Sequence, residues 1–193
     1  ITAQTIPFPT DTIVRNDRFN NREFPAYDQQ GKIHLTYTGQ TGTDGATREI
    51  YYVKEETNGT FTTTNITNNL VDDNYSSLSI DAGGTAHVGY IGRDGNNVFQ
   101  VQYKNNSTGT FGAPIFLTNG LNAATPVSKI GPDSVVHFVF FTFTNDPDNI
   151  FYTYIDFRDS MMQLTPMLLA AGETGGDFDA HLDIDNNAKV HIV

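Results

Sequence analysis

Four histidines of this 193-residue chain recur in one sequence context that could support chemistry. Each lies in an apolar-rich segment that follows a polar turn, and in three segments an aspartate precedes the histidine by six residues. An imidazole beside a carboxylate can serve as a general base or as a metal ligand. The pairs are Asp28 with His34, Asp81 with His87 and Asp185 with His191, while His137 has Gly131 at that position and Asp133 nearby.

The spacing of these segments favours a structural role over a catalytic one. They return about every 50 residues, which is the signature of a repeat, and one histidine per repeat would not converge on a single metal ion. A buried imidazole needs a hydrogen-bond partner, and a repeat can supply the same partner each time. Aspartate followed by glycine or asparagine also suits a tight turn. We therefore predict that Asp81 and His87 stabilise the fold.

The segments between the histidines predict four strands in each repeat, here designated A to D with the histidine strand as B. An aromatic strand such as "EIYYVK" follows each histidine strand, and a second turn and a further short strand come after it. The segment 161–172 is the only helix candidate, and its place in the repeat assigns it to the third C–D hairpin instead.

A four-stranded unit of this length is typical of a β-propeller blade. The sequence thus predicts an all-β fold, namely a β-propeller of four-stranded blades in which this chain holds three blades and part of a fourth. The chain is a single domain or part of one. Its predicted parts are an orphan outer strand (1–21), three blades (22–71, 72–122 and 123–175) and a half blade (176–193).

A propeller that stops within a blade has sheet edges that need covering. Two arrangements remain open at this point. Either the sequence is a fragment of a longer propeller, or two copies associate as a homodimer that covers the open blade edges.

The composition excludes several classes of partner. Acidic residues outnumber basic ones by 22 to 11, giving a formal net charge of -11, which argues against nucleic acid and anionic membranes. There is no cysteine, so disulfides, thiolate metal sites and cysteine nucleophiles are excluded. No apolar run is long enough to span a bilayer.

The pattern D-x-x-G-x-x-H-x-x-Y, complete in the first two copies, resembles repeat units of bacterial β-propellers of the BNR or Asp-box type, in the sialidase-like superfamily. Ser79, Asp81, Gly83 and Thr85 match the Asp-box itself, with Ala86 at the aromatic position. The resemblance implies a propeller with an extracellular or cell-surface location in a bacterium, as in glycosidases, lectins and adhesion proteins. It also implies that the Asp-box is a turn remote from the substrate site.

Function is expected in the loops that do not repeat, because variable loops on a regular scaffold usually carry binding. The B–C and D–A loops share one rim of a propeller, and we predict ligand contacts there. We expect a non-catalytic binding or adhesion propeller that recognises a glycan or a protein. The alternative is a glycoside hydrolase of the sialidase-like superfamily, although the sequence identifies no catalytic carboxylate pair. The candidate contacts are Arg48, Tyr75, Arg93, Asp94, Asp146 and Asp148.

No cofactor is predicted, with calcium as the alternative because several short clusters offer hard oxygen ligands. None of these clusters forms the twelve-residue loop of an EF-hand. The clusters are Asp72–Asp73–Asn74, Asp146–Asp148–Asn149 and Asp183–Asp185–Asn186.

Overall fold

The computed structural model describes residues 21–41, 47–142, 149–158, 161–162, 165–171 and 180–193. Across these ranges the chain is all-β, with antiparallel strand pairs throughout and no helix. The described residues therefore include no helix long and apolar enough to cross a membrane. The predicted orphan strand lies outside the described residues, except for Asn21.

Strands that follow one another in the chain pair with one another, so each sheet is built from one stretch of sequence. The first sheet contains β1 (Asn21–Tyr27), β2 (Ile33–Thr41), β3 (Thr47–Glu55) and β4 (Phe61–Asn65). The second contains β5 (Asp73–Ile80), β6 (Ala86–Arg93), β7 (Phe99–Asn105) and β8 (Ile115–Phe116). The third contains β9 (Ala123–Ile130), β10 (Val135–Thr142), β11 (Asn149–Asp156), β12 (Met161–Met162) and β13 (Met167–Ala170). The last pairs β14 (Leu182–Ile184) with β15 (Val190–Ile192).

The segment that was the only helix candidate forms two short strands instead. β12 and β13 both pair with β11, which makes them the outer edge of the third sheet. Pro166 separates them, and proline disfavours a continuous helix because it lacks an N–H donor and clashes with the preceding turn.

Apolar clusters hold successive sheets face to face. The histidine strand β6 is buried along almost its whole length because neighbouring sheets cover both of its faces. Removal of this apolar surface from water is the main stabilising contribution at each junction. The clusters join Ile50 and Tyr52 to Val88 and Tyr90, Val101 and Tyr103 to Phe138 and Phe140, and Val139 to Leu182.

The first strands of neighbouring sheets contact one another, so β1, β5 and β9 form the inner part of the assembly. The connections between strands then gather at two opposite ends. We call one end the turn rim; its connections are 28–32, 56–60, 81–85, 106–114, 131–134 and 185–189. We call the other end the loop rim; its described connections are 66–72, 94–98 and 117–122.

Each of the three larger sheets carries a β-bulge near the loop-rim end of its first strand, where the pairing register shifts. Tyr75 and Thr125 occupy the same position in the second and third bulges, with φ angles of 51° and 38°. Non-glycine residues avoid this region because it costs about 1–2 kcal/mol. Bulges redirect side chains, and they are over-represented next to functional sites.

Candidate functional site

The repeated aspartates form turns on the turn rim. Oδ1 of Asp28 accepts hydrogen bonds from the backbone N–H groups of Gln30 (2.9 Å) and Lys32 (2.8 Å), and Oδ1 of Asp185 accepts the equivalent pair. Oδ1 of Asp81 accepts from the N–H of Thr85 at 2.7 Å. Hydrogen bonds from Thr85 and His87 outweigh the opposing effect of partial burial and lower the pKa of Asp81. These carboxylates therefore stabilise the turns.

The residue at the fourth position of this turn adopts a left-handed backbone conformation in every copy, whether or not it is glycine. Gly31 and Gly84 have φ angles of 74° and 83°, and Ser134 and Ala188 adopt 65° and 60° at the matching positions. The sequence shows glycine in only two of the four copies. The conformation is thus more regular than the sequence pattern, and two copies accept backbone strain to form it.

Three of the repeated histidines are buried and face tyrosine hydroxyls on the neighbouring C strand, while His191 is exposed. His34 Nδ1 lies 2.5 Å from Tyr52 Oη, His87 Nδ1 lies 2.7 Å from Tyr103 Oη, and His137 Nδ1 lies 2.6 Å from Tyr152 Oη. The Nε2 atoms of His34, His87 and His191 each lie 3.4 Å from the aspartate six residues earlier. His137 lacks that aspartate, and its buried Nε2 has no hydrogen-bond partner among the described residues.

The second copy determines the tautomer of its histidine. Asn105 Nδ2 donates to Tyr103 Oη at 2.9 Å, so the tyrosine hydroxyl hydrogen is directed to His87 Nδ1. His87 Nε2 then carries the hydrogen and faces Asp81. Burial lowers the pKa of His87 in spite of Asp81, which favours this neutral form. The imidazole is held between two fixed partners, as expected for a structural histidine.

Tyr103→Phe should destabilise the protein by about 1–2 kcal/mol, because it leaves His87 Nδ1 and Asn105 Nδ2 without their partner in a buried setting. Chemical denaturation of the variant and the wild type measures the difference. Tyr27→Phe is the control, since Tyr27 is 66% exposed and its variant should differ by less than about 0.5 kcal/mol. Equal effects for the two variants would contradict a structural role for the histidine–tyrosine pair.

Two of the predicted ligand contacts, Arg48 and Tyr75, meet in a recess of about 160 Å³ on the loop rim. Tyr75 reaches it from the bulge in β5, and Arg48 from the start of β3 in the preceding sheet. Asp72 anchors Arg48 by accepting from its Nη2 at 2.9 Å and from its backbone N–H at 3.0 Å. The other lining residues are Asn74, Ile91, Phe99, Ala123 and Ala124.

The remaining candidates lie elsewhere or fall outside the described residues. The Arg93 guanidinium stacks 3.9 Å from the ring centre of Phe99, so it supports one wall of the recess. Asp94 is engaged in its own turn: Oδ1 accepts from the N–H groups of Asn96 and Val98, and Oδ2 accepts from Gln100. Asp146 and Asp148 are outside the described residues.

Sequence reasoning missed that Asp94 begins a further copy of the repeated turn. Asn97 has a φ of 64° at the fourth position, and Gln100, six residues after the aspartate, takes the place of the histidine. The spacing of Asp94 and Gln100 was a signal that could have revealed this. It also missed Asn74 and Phe99, both in the second sheet, because the recess forms only where this sheet meets the first and third sheets.

A cluster of buried polar residues lies behind the recess. Asp73 is 0% exposed, and its Oδ2 accepts from Asn69 Nδ2 at 2.6 Å. Its Oδ1 has no hydrogen-bond partner within the described part of the chain. Burial raises the pKa of Asp73 to about 7, and the nearby Glu49 carboxylate acts in the same direction. Glu49 is buried too, and it accepts from the Thr67 hydroxyl and the Asn69 backbone.

The described residues contain no set of side chains that would bind calcium. No group of three or more histidines, aspartates or glutamates is arranged to hold a metal ion within the described ranges. Asp72 instead binds Arg48, and Asp183 lies 3.9 Å from Lys129 Nζ. Calcium therefore stays an untested prediction.

Two further recesses lie on the turn rim, where the sequence predicts no ligand contacts. One, of about 310 Å³, lies among three A–B turns and includes Tyr27, Asp28 and Pro132. The other, of about 260 Å³, is a groove between the second and third sheets that includes His87, Asn105 and Phe157. Both are larger than the loop-rim recess.

Comparison with known proteins identifies the fold but no family. No protein-family model matches the chain, and neither does any curated protein sequence. Among solved structures, a protein of unknown function from Dyadobacter fermentans superimposes with a TM-score of 0.61 at 13% identity, over 87% of this chain and 50% of that one. The present chain thus spans half the length of the Dyadobacter protein.

Two similar structures come from proteins with named activities. A fucose lectin from Kordia zhangzhouensis, solved in complex with methyl-fucoside, gives a TM-score of 0.52 at 12% identity over 79% of this chain and all of the lectin. An endo-arabinase from Bacteroides thetaiotaomicron gives 0.57 at 15% identity over 94% of this chain and 73% of the enzyme. At these identities the similarity concerns the fold.

Proposed function

We propose that the protein is a non-catalytic glycan-binding module that uses the recess around Arg48 and Tyr75. The observation that carries the proposal is the bulge at Tyr75, where a strained backbone holds an aromatic side chain at the recess. Such strain persists where the surrounding structure enforces it, and it is concentrated at functional sites. Aromatic rings with a few fixed polar groups are the composition expected of a small-ligand site.

The charges near the recess favour a neutral ligand. Asp72 already pairs with the Arg48 guanidinium, so the cation is compensated before any ligand arrives. The chain carries a formal net charge of -11, which opposes the approach of anions. A neutral sugar can stack on Tyr75 or Phe99 and accept hydrogen bonds from Arg48 or Asn74 without displacing a charge.

A glycoside hydrolase is the second candidate, and Asp73 is the observation that favours it. A carboxyl with a pKa near 7 has the protonation behaviour of a general acid. Against this, Asp73 is fully buried, and Glu49, Asp72 and Asp94 accept hydrogen bonds within the fold. Turnover of chromogenic glycosides that is lost in Asp73→Asn would replace the binding proposal with the enzymatic one.

The wider architecture proposed here is a β-propeller in which each sheet is one blade. The antiparallel order of the strands, the inner position of β1, β5 and β9, and the fold similarity to the fucose lectin and the endo-arabinase support this proposal. The blades would be those predicted from the sequence, in a repeat unit of the Asp-box type. An extracellular location and a homodimer that covers the open edges belong to the same proposal.

Tyr75→Ala should weaken glycan binding about tenfold, because it removes an aromatic stacking surface. Isothermal titration calorimetry against neutral methyl glycosides, with methyl-fucoside and arabinan oligosaccharides included, measures the change in Kd. Thr125→Ala is the matched control, since Thr125 has the same bulged position in the next sheet. If the wild type binds none of these sugars, or if Tyr75→Ala binds as well as the wild type, the proposal fails.

A further inference from the structure

The groove on the turn rim has two walls of different chemistry. The second sheet contributes Asp81, Thr85, His87, Asn105 and Ser107, and the third sheet contributes Ile130, Ser134 and Phe157. One wall is therefore polar, while the other presents two apolar side chains and a hydroxyl. The groove has a volume of about 260 Å³.

The polar wall is held in place by the buried hydrogen-bond chain behind it. His87 and Tyr103 fix the side chains of Asp81 and Asn105 from inside the fold. Oδ1 of Asp81 accepts from the backbone N–H of Thr85, the Thr85 side chain also bonds the carboxylate, and Oδ2 lies 3.4 Å from His87 Nε2. Asp81 Oδ2 can thus accept from a ligand hydroxyl, and the Asn105 amide retains a second hydrogen to donate.

The apolar wall includes an aromatic ring that the fold leaves open to solvent. Phe157 is 45% exposed, although its ring centre lies 5.8 Å from that of His87 and 5.9 Å from that of Tyr103. These contacts hold the ring at the groove without covering it. Ser134, on the adjoining turn, adds an exposed hydroxyl whose backbone position is fixed at a φ of 65°.

The junction between the first and second sheets shows that the groove is not a general product of the repeat. There, Lys54 stands opposite His34, where Asn105 stands opposite His87. The ring of Phe111 packs edge-on against Tyr52 at 5.1 Å and belongs to the core between these sheets. The junction of the second and third sheets thus combines an exposed ring with an amide, whereas the described residues of the first junction do not.

From this combination we propose that the groove is a second saccharide site, which binds one neutral sugar ring. The C–H face of the sugar lies against Phe157, adjacent hydroxyls donate to Asp81, and a ring or hydroxyl oxygen accepts from Asn105. Asp81 excludes uronic acids and other anionic sugars by charge repulsion. The site lies on the opposite rim from the recess at Tyr75 and does not depend on it, so one chain would present two glycan sites on opposite faces.

The test is a titration of wild type and variants with methyl glycosides of neutral hexoses, 6-deoxyhexoses and pentoses, followed by saturation-transfer NMR, with methyl glucuronide as the charged comparison. Phe157→Leu keeps the apolar packing but removes the aromatic face, and should raise the Kd about threefold to tenfold. Phe116→Leu is the matched control, because Phe116 is also 45% exposed but lies outside the groove. It should bind like the wild type.

Ser134→Gly is a second variant. It removes the Ser134 hydroxyl from the groove and should therefore weaken binding, while glycine adopts the positive φ of this position without strain. The effect of Phe157→Leu should be the same in the Tyr75→Ala background, in which the loop-rim recess has lost its aromatic surface. Absence of any binding by the neutral glycosides, preference for methyl glucuronide, or equal affinity in Phe157→Leu and wild type would overturn the groove proposal. If only Tyr75→Ala weakens glycoside binding, the loop-rim recess is the saccharide site and the groove proposal fails. If only Phe157→Leu weakens it, the groove is the saccharide site and the proposal for the recess fails.

Discussion

Asp73→Asn should make the protein markedly more stable than the wild type at alkaline pH, with little difference at acidic pH. In the wild type, burial raises the pKa of Asp73 from 3.8 to about 7. Because the folded-state pKa lies above the unfolded one, the native state binds an additional proton between these values. The stability that depends on this proton is complete below about pH 4, decreases as the pH rises and is gone above about pH 7.

The expected size of this effect follows from the interval between the two pKa values and amounts to about 4 kcal/mol. Exposure does not reduce it, since Asp73 is 0% exposed and its Oδ1 has no partner among the described residues. Asparagine has nearly the same shape and no charge, and its oxygen can still accept from Asn69. The advantage of the variant should therefore grow by about 4 kcal/mol between about pH 4 and pH 8.

Urea denaturation across this pH range measures both proteins, and the difference between them removes the contributions of other carboxyls. Asp72→Asn is the matched control. The hydrogen bonds and charge of Arg48 outweigh partial burial and lower the pKa of Asp72, so its stabilising effect is present at neutral pH and lost on acidification. This variant should lose stability relative to the wild type as the pH rises. A pH-independent difference for Asp73→Asn would contradict the raised pKa.

The sheets were predictable because each repeat has the same types of residue in the same order. Turn-forming aspartates, a histidine in an apolar strand and an aromatic strand after it predict a four-stranded antiparallel unit, and the structure confirms antiparallel sheets without a helix over the described residues. The repetition of His34 and His87 also predicted buried, hydrogen-bonded side chains, which the structure shows. Their tyrosine partners Tyr52 and Tyr103 were visible in the aromatic strands, although the pairing itself was not predicted.

The candidate site was predictable only in part, because it depends on contacts between sheets. Arg48 and Tyr75 were selected from loops and do share a recess. The positive φ of Tyr75 could not be inferred, since no glycine or asparagine marks the bulge. Asp94 was selected because its loop differs in sequence from the repeated turns, yet its carboxylate forms the same hydrogen bonds. Variation in sequence is therefore a poor guide where a turn depends on one side chain and backbone geometry.

The groove on the turn rim was missed for the opposite reason. The regularity of the turns predicts a purely structural role for them, and Asp81 does stabilise its turn. The backbone of the turn bonds Oδ1, however, and a carboxylate oxygen can accept more than one hydrogen bond. The exposed ring of Phe157 supplies the other half of the groove from a different sheet. No pattern within one repeat contains both residues.

Close packing between the second and third sheets leads to the last prediction, that Gly89→Ala destabilises the protein by about 1–3 kcal/mol. Gly89 lies in β6 opposite the buried ring of Phe138. A β-carbon at this position would lie 2.7 Å from Cε1 and 3.2 Å from Cδ1 of that ring. Phe138 is 0% exposed and packs edge-on against Tyr103 at 5.9 Å, so it has no space into which to withdraw.

Differential scanning calorimetry should show a Tm lower by about 4–8 °C for a loss of 2 kcal/mol in a chain of this size. Gly95→Ala is the matched control, because no atom lies within 4 Å of its added β-carbon; its Tm should be unchanged or slightly raised. Phe138→Leu costs stability alone, but combined with Gly89→Ala it should lose less than the sum of the two single changes, since the smaller side chain makes room for the methyl group. Additive losses would mean that Gly89→Ala destabilises the protein through the backbone conformation at position 89. They would contradict a steric clash with the Phe138 ring of the third sheet.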